Sequence, residues 1–182
     1  MKKFLTAGKF FFAVFCAIFL MAGKSYAGWH ELAQSDRNQR IVAQAQHDLY
    51  LVGGECKVWA YDVVRVASNQ AGGSGVPVPL PATDNGGYGY AWLYSSNVFS
   101  YGALNPSQMV PGMIVQMRVR YANGTYGPHT AIVFANSASA HQLTFIESNY
   151  QGDYTVRMRN VYWTDFTASV EPTSHYTVYT IK

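Results

Sequence analysis

Val52-Gly53-Gly54-Glu55-Cys56-Lys57-Val58-Trp59-Ala60-Tyr61 stands between two helical patterns. Upstream, Ile41, Val42, Ala45 and Leu49 recur at helical spacing, with Arg37, Arg40, Gln44 and Asp48 opposite them. That pattern predicts a helix from Asp36 to about Leu51. The glycine pair stops it. Downstream, Val58, Trp59, Val63, Val64, Val66 and Ala67 predict a second helix, from about Cys56 to Ser68 or Asn69, before Gly72-Gly73. Cys56 therefore stands at a helix start, where unpaired backbone N–H groups and the positive end of the dipole favour thiolate over thiol. A thiolate is a nucleophile. A free cysteine is also often a small buried apolar residue, and this stretch alone allows both readings.

The chain on either side completes the fold class. Residues 28–35 read as a loose arm. Residues 72–90 are rich in Gly and Pro and read as a long surface loop, with a short helix turn expected over 91–97. After Pro106 the character turns to β. Residues 113–120, 129–134, 142–147, 154–162 and 176–181 predict strands, and Asn123-Gly124 is a turn signal between the first two. Helices first and a run of antiparallel strands second make an α+β domain, N-terminal helices packed on a C-terminal antiparallel sheet.

Lys2, Lys3 and the apolar run Phe10–Ala22, followed by Ser25-Tyr26-Ala27, read as a secretory signal over residues 1–27. The run is too short to predict a membrane span, so no anchor is expected once it is removed. Removing 27 of 182 residues leaves 155, one domain able to bury a core. Lys2, Lys3, Lys9 and Lys24 leave with the signal and no acidic residue does. The 13 basic residues become 9 against 10 acidic, a formal charge of −1. The basicity belongs to the signal, and no nucleic-acid partner is expected. Of two cysteines, Cys16 lies in the apolar run, so Cys56 is the one retained thiol. An odd cysteine in an exported chain is a candidate reactive group. His30, His47, His129, His141 and His175 show none of the close pairings of a zinc site. No metal or cofactor is expected, and a monomer is.

Three polar residues stand out in the β half. His129 begins a predicted strand after Gly127-Pro128. Glu147 ends the next, and Asn149 follows two residues later. Pairing the two strands as a hairpin puts His129 beside Glu147 or Asn149. A cysteine nucleophile needs a base, and the base needs a third group to fix its tautomer and stabilise its cation. His141, in the connecting turn, is the competing base.

Gly54-Glu55-Cys56, Val110-Pro111-Gly112, Gly127-Pro128-His129-Thr130-Ala131-Ile132-Val133 and Phe145-Ile146-Glu147-Ser148-Asn149-Tyr150 occur in that order. Across residues 36–165 the chain resembles the CHAP and NlpC-type papain-like amidases and peptidases of bacterial cell walls. The resemblance implies a papain-like fold, with Cys56 as nucleophile, His129 as base, Glu147 as orienting acid and Asn149 as a fourth polar member. It implies an amide substrate in peptidoglycan, either the N-acetylmuramoyl–alanine bond or a bond within the stem peptide. Glu55 stands where the family usually has Gln, and Met113 where it often has Asp. Glu55, Tyr88, Tyr90, Trp92, Tyr121, Tyr126 and Tyr150 are the candidates to line the substrate groove. Ordinary β packing accounts for the aromatics equally well. An effector-type peptidase acting on protein, or an inert binding module on the same fold, remain alternative functions.

Overall fold

The computed structural model describes residues 28–71, 97–121, 124–171 and 176–182. The expected signal, the loop 72–90 and all but the last residue of the turn expected at 91–97 lie outside them, as do Tyr88, Tyr90, Trp92 and His175.

Two helices precede the sheet. Helix α1 spans Gln34–His47 and α2 spans Cys56–Asn69. Helix α2 has the expected bounds. Its buried positions Cys56, Trp59, Ala60, Val63, Val64 and Ala67 recur at helical spacing. Helix α1 ends four residues before the predicted Leu51, for two reasons. The Asp48 carboxylate takes Gln44 Nε2 at 2.8 Å and the Trp59 indole N–H at 3.1 Å. Tyr50 then turns left-handed at φ 69°, which no α-helix continues.

The strands are β1 Val98–Gly102, β2 Ile114–Arg120, β3 Tyr126–Ser137, β4 Gln142–Ser148, β5 Val156–Tyr162 and β6 Thr177–Ile181. A short helix α3, Trp163–Ser169, follows β5. They form one antiparallel sheet in the order β1-β6-β2-β3-β4-β5. The α+β expectation holds. Both faces of the sheet are covered. Ile114, Ile132, Ile146, Val156 and Tyr179 pack with Trp59, Val63 and Ile41 of the helices. Val115, Met117, Val119, Val133 and Phe145 pack with Phe166 of α3 on the other face. Two covered faces explain why Ile114 to Met117 are buried in succession and the alternation along β2 is only partial.

Residues 28–35 are not a loose arm. Trp29 is 2% exposed, and its indole N–H donates to Lys182 O at 2.7 Å. Gln34 Nε2 donates to Thr180 Oγ1 and Ile181 O at 2.9 and 2.8 Å. The start of the described chain is stitched to β6 by contacts that span about 150 residues, beyond the reach of local patterns. Among the described residues no helix is long and apolar enough to cross a membrane.

Candidate functional site

Cys56 is the first residue of α2 and is 5% exposed. Its position is set less by its own helix than by the start of β5 and the turn before it. Tyr50 N donates to Val156 O, and Val156 N to Leu51 O, each at 2.9 Å. Gly53 N reaches Tyr154 O at 2.8 Å. Val52 bridges Thr155, and the Ser148 hydroxyl donates to Gly54 O at 2.7 Å. Gly54 has φ 75°, the left-handed conformation glycine adopts freely. At Gly53 the need is space. A Cβ there would sit 2.6 Å from Val156 Cγ2, 2.7 Å from Ser148 Oγ and 2.9 Å from Trp59.

The sheet brings His129 and Glu147 together. Glu147 is in register with Ala131, two residues along β3 from His129. The two side chains are therefore diagonal neighbours on one face. His129 Nε2 lies 2.9 Å from Glu147 Oε2, and each residue is 1% exposed. Arg159, which the sequence reading did not single out, completes the cluster from β5. It pairs in register with Phe145, again two residues from Glu147. Its Nε donates to Glu147 Oε1, and its Nη2 to Oε2 at 3.1 Å. His129 Nδ1 is buried and makes no hydrogen bond of normal geometry. The Cys56 thiol lies close enough to the ring to support its charged form.

Burial opposes charge on both members of the pair, and the pairing overrides it. Glu147, with help from Cys56, holds the imidazole up at about 9. His129 and Arg159 hold the carboxyl down at about 2. The pair rests as imidazolium and carboxylate at neutral pH. Folded His129 thus sits above its ordinary value of 6.5. Its contribution, on the order of 3 kcal/mol, is complete below pH 6.5 and fades as pH rises through about 9. Glu147 sits below its ordinary 4.5, so its contribution is complete above pH 4.5 and fades as pH falls through about 2. Melting temperature should hold between these two ordinary values and fall from pH 6.5 to 9. Thermal melts of the wild type beside His129→Ala check this. An equal alkaline fall in His129→Ala would assign the loss to another group.

Asn149 is placed differently from His129's other neighbours. It turns left-handed at φ 61° and closes the turn to β5, accepting from Tyr154 N at 3.2 Å. Its Nδ2 donates to Glu55 Oε2 at 3.2 Å. Of the two residues expected beside His129, Glu147 makes the contact and Asn149 reaches the exposed carboxylate ahead of Cys56. Tyr150 stands edge-on to His129, with ring centroids 5.3 Å apart, and also meets Tyr121 at 6.1 Å. Tyr121 donates its hydroxyl to Pro128 O at 2.7 Å and packs against Gly127. Its phenol is pushed up to about 12 by burial, then by Cys56 and Glu55. Tyr126 is half-buried at the start of β3, in register with Arg120. His141 sits in the β3–β4 turn, stacked on Trp163 with centroids 4.9 Å apart. His47 bonds Asp48 at 3.2 Å. Among the described residues, no three His, Cys, Asp or Glu side chains cluster to hold a metal.

No family model and no curated protein matches this chain. Solved structures do. The crystal structure of Ly7917 is 19% identical with a TM-score of 0.54. The crystal structure of Ly7917 with the hydrolyzing product of MDP is 20% identical with a TM-score of 0.56. Each match covers 79% of this chain and 62% of that one, so this chain spans less than two thirds of the length of those it resembles. At that identity the similarity is one of fold: an antiparallel sheet with its helices is an architecture shared with Ly7917.

Proposed function

We propose that the chain is an exported cysteine hydrolase of the papain-like CHAP and NlpC type, cleaving an amide bond in peptidoglycan. One observation carries the reading: a buried His129–Glu147 pair beside Cys56 at the start of a helix. The fold likeness supports it, since one Ly7917 structure holds the hydrolysis product of MDP, a peptidoglycan fragment.

In this reading the Cys56 sulfur attacks the carbonyl carbon of the amide and its proton resides on His129. The free ring nitrogen is Nδ1, because Nε2 is engaged by Glu147. The backbone N–H of Cys56, one of the unpaired donors of the first turn, faces the developing oxyanion. His129 gives its proton to the leaving nitrogen as the C–N bond breaks, leaving a thioester. Water adds to the thioester with His129 as base, and the thiol and a carboxylic acid are released. Glu147 keeps the ring oriented and stabilises its cation throughout. In this reading Tyr150 beside His129, with Glu55 at the entrance, forms the substrate side of the site.

The protein spanning residues 28–182 is expected to release soluble fragments from purified peptidoglycan. Mass spectrometry of the fragments identifies whether the muramoyl–alanine bond or a stem-peptide bond is cut. A folded protein whose Cys56 can be alkylated, yet which leaves several wall types intact and cuts denatured protein, would move the assignment to an effector-type peptidase. A folded protein that cuts neither would be a binding module.

A further inference from the structure

Glu147 is buried among charged and aromatic groups, and its orientation is not explained by His129 alone. A carboxylate has two equivalent oxygens with about four lone-pair positions, and a single imidazole fills one. Two arginines of β5 are candidates to take the others. Arg157 is directly opposite Glu147 in register. It turns away to Asp153, with its Nε 3.2 Å from Oδ2. Arg159 is the one that forks across both oxygens of Glu147. Its guanidinium is itself held between two rings, 4.1 Å from the Tyr150 centroid and 5.5 Å from that of Phe145. The same Tyr150 ring stands edge-on to His129.

We propose that Arg159 is a positioning residue: its fork removes the equivalence of the two Glu147 oxygens and aims Oε2 at His129, with Tyr150 as the wall that locks both. This rests on the reading of His129 as the base. A planar fork clamped between rings is a task for arginine and not for lysine, whose ammonium offers a point charge without that geometry. Arg159 lies 21% exposed at its side chain, so it also closes the solvent side of a carboxylate that is otherwise covered.

Among the described residues the charged and titratable groups around His129 are few. Cys56 faces it from α2, Glu147 from β4, and Tyr150 from the following turn. Arg159 acts from β5 through Glu147. Tyr121, beyond the end of β2, is coupled to Cys56, Glu55 and Glu147. Without the fork, Glu147 is free to turn from the ring toward water, and the imidazolium loses its main support.

The test follows the His129 ring by NMR titration in a Cys56→Ala background, which needs no substrate. Adding Arg159→Met should lower the ring's midpoint by about one pH unit or more toward its ordinary value. Adding Arg157→Met should not move it. With Cys56 intact, Arg159→Met should lower kcat on wall fragments by about a hundredfold with KM within about twofold. The alkaline limb of its kcat/KM profile should shift toward acid. Arg159→Lys should behave like the methionine variant, because charge alone does not restore the fork. An unmoved midpoint in a folded Arg159→Met protein overturns the proposal. So does a midpoint that rises, which would make Arg159 an opposing charge, or full rescue by lysine. Where Arg159→Met does not fold, Arg159→Lys is read alone, and an unmoved midpoint is again decisive. The titration arm stands even if the wall is not the substrate, so the two failures are distinct.

Discussion

His129→Ala should lower the rate of fragment release by about four orders of magnitude or more and leave a folded protein. The fold survives because Glu147 keeps Arg159, so the buried carboxylate is not left without a partner. The proposed chemistry does not survive, since among the described residues no other histidine reaches the site. His141 is stacked on Trp163 in the β3–β4 turn, and His47 is engaged by Asp48. Cys56→Ala should cost as much, and the double variant no more than either alone, because the pair acts as a unit. Glu147→Gln should be milder, near a hundredfold, since an orienting group contributes less than the base. The measurements are release rates for these variants and Asn149→Ala beside the wild type, with near-UV circular dichroism to confirm packing. A silent Glu147→Gln beside a damaging Asn149→Ala would give the third role to Asn149, which here holds Glu55.

Gly53→Ala should lower the release rate by about a hundredfold while touching no reacting group. The added methyl meets Val156, Ser148 and Trp59 at 2.6–2.9 Å, and none of these can withdraw cheaply. Val156 belongs to β5 and Trp59 to the core of α2. Ser148 holds Gly54. Overpacking of this kind costs about 1–3 kcal/mol, and the easiest relief is to push Gly53–Cys56 off the sheet. On the proposed mechanism, displacing Cys56 by about 1 Å loses roughly a hundredfold in rate. Gly54→Ala offers a contrast. Its Cβ would meet nothing within 4 Å, so it carries only the strain of φ 75°. Chemical denaturation and release rates of the two variants separate crowding from backbone strain. Equal, small effects would mean the loop has slack that its hydrogen bonds do not suggest.

What the sequence made legible follows from how far each signal reaches. The bounds of α2 were readable because a glycine pair, an apolar stripe and a second glycine pair all lie within one stretch. Strands β2 to β6 were readable from β-rich runs between turn residues. The β1 strand was not. Val98-Phe99-Ser100-Tyr101 is short, lies at the edge of the sheet, and pairs with β6, which follows it by about 80 residues. Helix α3 was missed because seven residues hold too few turns for a period to show. In the site, His129 and Glu147 could be matched because a hairpin brings near neighbours in sequence together. Arg159 could not be chosen over Arg157. Register puts both beside Glu147, and Asp153 decides between them by drawing Arg157 outward. The partner of Asn149 was equally invisible, since Glu55 lies 94 residues away.

The seat of Cys56 also has a history in time. Gly54 is fastened to Ser148 across 94 residues, and Val52 to Thr155 across a similar span. Helix α2 can wind from local contacts within microseconds, but closing so large a loop comes late and costs entropy that only the assembled sheet returns. A chain folded as far as its helices therefore owns the thiol without owning the machinery. On the proposed reading the activity is latent by topology, because the seat of Cys56 exists only once Ser148 and Thr155 have closed on the segment that carries it.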